Sequence, residues 1–204
     1  MKEFWNDRYS KVEFAYGKEP NVFFKTEFDK LENGKVLLPA DGEGRNSVYA
    51  ATRGWSSYAC DLSEEGNAKA EELALEHKVE IDYKVGDFGA LKYEEHFFDA
   101  IALIYAHFPS DKKKDYHKKV DKYLKIGGTI IFEAFGENHL HYNGINPNVG
   151  GPKDINMLYS EEEIKDYFPN YEIVKLEEVE TDLHEGQFHS GKGSVVRFVG
   201  NKLR

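Results

Sequence analysis

The feature that most constrains the fold is an apolar run that breaks into a glycine-containing turn and continues as a helical pattern. Val36 to Leu38 form the apolar run, and the turn contains Gly42 and Gly44. A strand, a tight turn and a helix in this order form a corner of an open α/β sheet at which ligands bind. Glycine lets a ligand approach bare backbone, and the first N–H groups of the helix stay free to bind it.

The turn lacks two known phosphate-binding patterns. A dinucleotide fingerprint counted from Gly42 would need a glycine where the chain has Ser47, and no complete Walker phosphate loop is present. A lone G-x-G also occurs in purely structural turns. A ligand site is therefore predicted only if acidic residues follow at the ends of the neighbouring strands.

Strand and helix patterns alternate through the rest of the chain. Strands are predicted at about 35–39, 57–60, 79–85, 98–105 and 129–134. Helices are predicted at about 44–53, 64–77 and 111–124, the last two capped by Ser63 and Ser110 and the last closed by Gly127-Gly128. Strands at 171–181 and 194–199 are joined by a short connection and are expected to be antiparallel neighbours. The pattern predicts an α/β fold with a doubly wound, seven-stranded, mostly parallel sheet and an antiparallel last strand.

We expect a single domain over residues 1–204 with two covering segments. Residues 1–34 are rich in aromatic side chains and are predicted to dock as a helical cover, with Asn21 capping a helix over 22–32. Residues 135–159 carry no clear pattern and leave the carboxyl end of the fifth strand, so a lid and a solvated insertion are both open. Ser160 begins a further helix over 161–168.

Composition excludes several classes of protein. The formal charge is −10, from 27 Lys and Arg against 37 Asp and Glu, which argues against sequence-independent nucleic-acid binding and against anionic membranes. The single cysteine, Cys60, allows neither an internal disulfide nor a cysteine-based zinc cluster. The sequence shows no signal-peptide pattern and no apolar run of membrane-spanning length, so a cytoplasmic protein is expected.

Acidic residues stand at the ends of the second and third strands. Asp61 follows Gly44 by 17 positions, where a carboxylate can accept both hydrogen bonds of a ribose diol. Asp87 precedes Phe88, so a carboxylate could accept from an adenine amino group while a ring packs on the base. Each acid alone could be a loop residue or a helix cap. Together with the Gly-turn they predict a nucleoside site, and the acidic Asp41-Gly42-Glu43 suits a cationic ligand better than a pyrophosphate.

Short motifs recur along the chain in an order that is more specific than any one of them. They are Trp5-Asn6-Asp7-Arg8-Tyr9, Tyr16-Gly17-Lys18-Glu19-Pro20-Asn21, Gly42-Glu43-Gly44-Arg45-Asn46-Ser47-Val48, Arg53-Gly54-Trp55, Asp61-Leu62-Ser63, Gly86-Asp87, Phe98-Asp99, Ile104-Tyr105-Ala106-His107-Phe108-Pro109 and Gly127-Gly128. The chain resembles class I S-adenosylmethionine-dependent methyltransferases, and it looks closest to the tellurite-resistance and thiopurine methyltransferase-like branch. This resemblance implies a Rossmann-like methyltransferase fold and S-adenosyl-L-methionine as cofactor.

The resemblance also implies a cofactor site. It places the backbone of the Gly-turn at the methionine moiety, Asp61 at the ribose, and Asp87 with Phe88 at the adenine. The full cofactor-binding set expected here is Asp41, Gly42, Gly44, Arg45, Asn46, Asp61, Leu62, Asp87, Phe88 and Tyr105. The chain departs from the family where an acid and a glycine are usual, having Leu38 and Ala40 instead, with Asp41 or Glu43 as substitutes for the acid.

His107 follows the fourth strand and is the candidate catalytic base, with a packing or capping role as the alternative. Tyr9, Tyr16, His184 and His189 are candidate substrate or lid residues. Two histidines and Glu185 could also bind a metal ion, but their spacing on a hairpin tip is poor evidence, and no metal site is predicted.

Sequence signatures of some acceptor classes are missing. Residues 105–109 lack the Asn/Asp-Pro-Pro-aromatic run of amino-methylating nucleic-acid enzymes, and Cys60 follows Ala59 rather than proline. We therefore expect a small-molecule acceptor and neither nucleic-acid nor membrane partners. Two alternatives stay open: a non-catalytic nucleoside-binding or regulatory module, and a nicotinamide oxidoreductase, against which the absent third glycine counts.

Overall fold

A computed structural model describes residues 1–204. The seven α-helices are α1 Lys2–Tyr9, α2 Val22–Phe28, α3 Arg45–Thr52, α4 Glu64–His77, α5 Lys113–Tyr123, α6 His139–Ile145 and α7 Glu161–Tyr167. The seven strands are β1 Lys35–Pro39, β2 Ser56–Asp61, β3 Asp82–Val85, β4 Phe98–Ile104, β5 Leu124–Phe135, β6 Tyr171–Glu185 and β7 His189–Lys202. Short 3-10 turns lie at Pro147–Val149 and Ile155–Met157.

All seven strands form one sheet in the order β3-β2-β1-β4-β5-β7-β6. The first five strands are parallel, and β7 runs antiparallel to both β5 and β6. The predicted fold class is therefore confirmed. Strand order reverses between β1 and β4, so their carboxyl ends lie side by side at the switch point where ligands bind in such sheets.

Strand β1 is buried on both faces, which explains its unbroken apolar run. Leu37 packs into the core on one face of the sheet, while Val36 and Leu38 pack on the other face against Phe24 and Phe28 of α2. Parallel strands covered by helices on both sides have this composition because neither face meets water. The core thus fixes the position of the turn that follows β1.

Two predicted boundaries were wrong around α5. Helix α5 begins at Lys113, and Ser110 does not cap it, because residues 109–112 form a preceding turn in which Lys112 N donates to Pro109 O (2.9 Å). Gly127 and Gly128 do not end this helix. They lie within β5, which starts at Leu124 and has an irregular register against β4.

The last hairpin is also longer than predicted. Strand β6 extends to Glu185, and β7 begins at His189. Most of the predicted connection at 182–191 is therefore paired strand. The turn between them contacts the segment after α1, because Gln187 N donates to Ala15 O (3.0 Å). The Arg8 guanidinium lies 4.1 Å from the centre of the Phe188 ring. The hairpin tip and the N-terminal segment therefore pack against each other.

Residues 135–159 contain α6 and both 3-10 turns rather than an unstructured loop. The segment is anchored at its ends by a bridge between Gly136 and Tyr159. Its movement as a lid stays a prediction. No helix of the structure is both long and apolar enough to cross a membrane.

The turn after β1 contains a residue in an unfavourable backbone conformation. Ala40 has φ 57°, in the left-handed region that glycine adopts without steric cost. We expect Ala40→Gly to raise the free energy of unfolding by about 0.5–1 kcal/mol, after allowing for the greater freedom of glycine in the unfolded chain. Urea unfolding measures this change.

The matched control is Ala68→Gly, on the exposed side of α4, where glycine should lower stability by about 1 kcal/mol. A loss of stability in both variants would contradict the explanation by backbone strain at Ala40.

Candidate functional site

A cavity of about 820 Å³ opens at the carboxyl ends of β1, β2 and β4. The predicted residues that line it are Tyr9, Tyr16, Asp41, Arg45, Asn46, Asp61, Leu62, Asp87, Phe88, Tyr105, His107 and His189. Because parallel strands end at the same edge of the sheet, residues far apart in sequence meet here. The three corners at 41–46, 61–62 and 87–88 therefore face one space.

Gly42 and Gly44 do not line the cavity, contrary to the expectation that their backbone contacts the ligand. Both have positive φ, 60° and 82°. A Cβ on Gly42 would lie 2.6 Å from the Tyr9 hydroxyl oxygen, and one on Gly44 would overlap Ala70. These glycines therefore allow the turn to pack tightly against α1 and α4.

Asp61 is 8% exposed and makes no ion pair. Its Oδ1 accepts from Ser63 N (2.9 Å) and its Oδ2 from Gly42 N (3.2 Å). Burial raises the pKa of Asp61 to about 6. Since a carboxylate has about four acceptor positions, two backbone donors leave room for ligand hydroxyl groups.

Asp41 is the better substitute for the acid that β1 lacks. Its Oδ2 accepts from Ser47 N (3.3 Å), it makes no ion pair, and enclosure by the protein raises its pKa to about 7. Glu43, the other candidate, is fully engaged: it accepts from Ala15 N (2.8 Å) and pairs with Lys69 Nζ (2.8 Å). The cavity thus contains two enclosed carboxyl groups without a cationic partner, which favours a positively charged ligand.

Asp87 has several partners in the structure. It pairs with Lys112 Nζ (2.8 Å), and it accepts from Gly89 N (2.8 Å) and the Tyr116 hydroxyl. Partial burial raises its pKa, but the bonds from Lys112 and Tyr116 outweigh this and hold it below the usual value. Phe88 is buried nearby.

His107 lines the cavity, but its contacts contradict the prediction of a catalytic base. Nδ1 lies 2.9 Å from Met157 O, and Phe135 N donates to Nε2 (3.3 Å). With both ring nitrogens bonded to backbone, the imidazole has no lone pair left for a substrate proton. Burial lowers its pKa to about 3, so the ring is neutral and joins β5 to the segment at 155–157.

Arg45 belongs to a largely buried network of two acids and two arginines that the sequence pattern did not indicate. Arg45 Nη2 pairs with Glu185 (3.0 Å), and Arg197 Nε pairs with Glu133 (2.6 Å). Asn21 Nδ2 bridges the acids, donating to Glu133 (2.7 Å) and Glu185 (2.8 Å). The two arginines balance the charges of the two acids. The ion pair with Glu185 holds the Arg45 side chain in position.

Asn46 also serves this network, since its Oδ1 accepts from Asn21 N (2.9 Å). One signal for Glu185 was present in the sequence. Leu183 and Glu185 are two apart on a strand and so share the inward face. His184 lies between them, is exposed and does not line the cavity, which contradicts its expected role at the site.

Aromatic rings surround His189 at the other end of the cavity. The rings of Tyr16 and Tyr105 have centres 4.5 Å from the imidazole, and Phe135 lies at 5.1 Å. Tyr105 directly follows β4 and has φ 52°, a left-handed conformation that is uncommon outside glycine and is often found at functional sites. The structure shows no group of three or more His, Cys, Asp or Glu side chains able to hold a metal ion.

Known proteins share this fold and part of this sequence. A family model described as a methyltransferase domain matches residues 36–128. The "Probable S-adenosyl-L-methionine-dependent methyltransferase TehB" of Haemophilus influenzae is 21% identical over 185 residues, which is 87% of this chain and 61% of that protein. The chain thus spans about three fifths of the length of this relative.

Solved structures give the same result for the fold. The crystal structure of TehB from Haemophilus influenzae has a TM-score of 0.73 at 18% identity, over 98% of this chain and 66% of that one. A structure described as "Conversion of a Disulfide Bond into a Thioacetal Group during Echinomycin Biosynthesis" has a TM-score of 0.77 at 16% identity, over 100% and 93%. By sheet order and these similarities, the chain has the fold of the class I S-adenosylmethionine-dependent methyltransferases, and its sequence is similar to that of TehB.

Proposed function

We propose that the chain binds S-adenosyl-L-methionine and catalyses transfer of its methyl group to a small-molecule acceptor. The observation that carries this proposal is the pair of enclosed, unpaired carboxyl groups, Asp41 and Asp61, in a cavity at the switch point of the sheet. A pyrophosphate would be repelled there, whereas a ligand with an ammonium and a sulfonium would be attracted.

The residues present fit this cofactor. Asp41 would accept from its ammonium group, Asp61 from its ribose hydroxyls, and Asp87 with Phe88 would contact the adenine. The cofactor supplies a methyl group that its sulfonium already activates for in-line displacement. The chain then has to align the acceptor and exclude water, and orientation alone can contribute effective molarities of about 10⁵–10⁸ M.

A small acceptor agrees with the enclosed site. Helix α1 and residues 135–159 both contribute lining to the cavity, whose volume of about 820 Å³ is in the range of small-molecule sites. We propose that the 1–34 and 135–159 segments act as cover and lid. The absence of nucleic-acid and membrane partners and a cytoplasmic location stay predictions from charge and sequence.

The non-catalytic alternative is favoured by one observation, the loss of the usual acid at Leu38. The position of Asp41, three residues later and inside the same cavity, weighs against it. A nicotinamide oxidoreductase is disfavoured by the acidic turn.

Calorimetry with S-adenosylmethionine, S-adenosylhomocysteine and NAD tests the proposal. We expect heat with the two adenosylated compounds alone. Asp61→Asn should weaken S-adenosylhomocysteine binding about tenfold, since it removes one charge-assisted acceptor of the ribose diol. Asp82→Asn, an exposed acid on β3, is the matched control and should leave binding unchanged.

No heat with either adenosylated compound would refute the proposal. Methyl transfer is followed by mass spectrometry. Binding of the cofactor without methyl transfer to any acceptor would favour the non-catalytic alternative.

A further inference from the structure

Glu185 and His189 form a hydrogen-bonded pair across the β6–β7 turn. His189 Nδ1 lies 3.0 Å from Glu185 Oε2, and the side chains are only 6% and 13% exposed. Although burial by itself would raise it, the charge of Arg45 with the bond to His189 lowers the pKa of Glu185 to about 2. Glu185 is thus ionised and holds the proton of the neutral imidazole on Nδ1.

The other nitrogen of His189 is free. Nε2 makes no hydrogen bond with protein atoms and is not among the buried polar atoms that lack a partner, so it is accessible from the cavity that His189 lines. His107, the other histidine in the lining, has both nitrogens bonded to backbone. Nε2 of His189 is therefore the one imidazole lone pair in this cavity that a substrate can reach.

Burial keeps His189 unprotonated near neutral pH, and the charged and titratable groups around it modify this effect. Burial lowers the pKa of His189 below its usual value, and Glu185 offsets part of this effect. The other groups that face it are Arg45, His139, His107, Tyr16 and Tyr105. A neutral imidazole with an oriented Nε2 lone pair is the form that accepts a proton.

The surroundings of Nε2 indicate the kind of acceptor. Four rings, those of Tyr16, Tyr105, Phe135 and Phe188, line the cavity around His189. Such walls favour a flat apolar or aromatic body, which can stack on them or meet them edge to face. A thiolate acceptor would need little help from a base, whereas a neutral hydroxyl would.

Resting on the function proposed above, we propose that His189, oriented by Glu185, is the general base in methylation of the hydroxyl group of an aromatic acceptor. His189 Nε2 takes the hydroxyl proton as the acceptor oxygen forms a bond to the methyl carbon. The carbon–sulfur bond breaks, its electron pair stays on sulfur to give S-adenosylhomocysteine, and the imidazolium later releases its proton to solvent.

The test compares para-substituted phenols, which are protonated at pH 8, with para-substituted thiophenols, which are ionised there. His189→Asn keeps a donor for Glu185 but removes the base, so it should lower kcat about 100-fold for phenols and change it little for thiophenols. His184→Asn, on the outer face of the same hairpin, is the control and should change neither rate. Binding of S-adenosylhomocysteine and thermal unfolding of His189→Asn are expected to match the unsubstituted chain.

A second variant separates base catalysis from packing. In His189→Ala, added imidazole should restore phenol methylation, because a small base can occupy the vacated space. Equal losses on phenols and thiophenols, failure of imidazole to rescue, or methylation of thiophenols alone by the unsubstituted chain would each overturn the proposal. If neither phenols nor thiophenols are methylated, the proposal for His189 is overturned as well. The function proposed above is refuted as well only if S-adenosylhomocysteine does not bind.

Discussion

Asp41→Asn is expected to make the protein more stable at pH 8 and to weaken its binding of S-adenosylmethionine. The pKa of Asp41 is about 7 in the folded chain, against about 3.9 in an unfolded one. The folded state therefore binds the proton more tightly, and stability is lost as the pH rises from about 4 to 7. Asparagine removes that loss and keeps an acceptor for Ser47 N.

We expect a gain of about 1–3 kcal/mol in the free energy of unfolding at pH 8. This is less than the free energy that corresponds to the whole pKa difference, because burying the asparagine amide also has a cost. Urea unfolding should show that the gain disappears near pH 4. A gain independent of pH would contradict the assignment to ionised Asp41, and Asp82→Asn serves as the exposed control.

The same variant should bind S-adenosylmethionine about 30- to 100-fold more weakly at pH 8, since a charge-assisted bond to its ammonium is lost. In the unsubstituted chain affinity should rise with pH up to about 7, as Asp41 ionises, and in the variant this rise should be reduced. If calorimetry shows that Asp41→Asn binds S-adenosylmethionine with unchanged affinity, the ammonium group of the ligand does not contact Asp41. Higher stability together with lower affinity in Asp41→Asn would show that Asp41 serves binding at the expense of stability.

Arg197→Met is expected to destabilise the protein by about 3–5 kcal/mol at pH 8, because it leaves Glu133 buried without its cation. Glu133 is 2% exposed, and its remaining partner is Asn21, with the like charge of Glu185 nearby. Burial raises the pKa of Glu133 even beside Arg197, so without the arginine the carboxyl should take up a proton more readily. The deficit should therefore grow from pH 5.5 to pH 8.

Two controls make the measurement specific. Combining Arg197→Met with Glu133→Gln removes both charges and should recover most of the lost stability. Lys122→Met breaks an exposed pair with Glu95 and should leave the free energy of unfolding nearly unchanged. A deficit in Arg197→Met that is equal at both pH values would indicate lost packing on Phe23 rather than an unpaired charge.

The sequence predicted the sheet well because its strands are buried on both faces. Continuous apolar runs such as Val36 to Leu38 leave few alternatives to a central strand. The predicted ends of α5 were wrong because its glycine and serine signals belong to other structures. Gly127 and Gly128 lie near the irregular start of β5, and Ser110 precedes a turn. Local signals cannot show which of two permitted structures tertiary packing selects.

The site was predictable where residues follow the ends of strands, as Asp61 and Asp87 do. It was not predictable where function depends on pairing between distant segments. His107 has the position of a base, but backbone atoms 28 and 50 residues away bond both its nitrogens. Glu185 was taken for a loop residue because the polar composition of 182–191 concealed the alternation of a strand.

The contact between the hairpin tip and the N-terminal segment affects the order in which the molecule can be assembled. Ala15 and Arg8 leave the ribosome early, but their partners Gln187 and Phe188 are synthesised more than 170 residues later. Until then the aromatic side chains around Tyr9 and Tyr16 lack one wall of their pocket. A growing chain can form the central parallel strands first, but its cavity is not closed until residues 187–189 have left the ribosome.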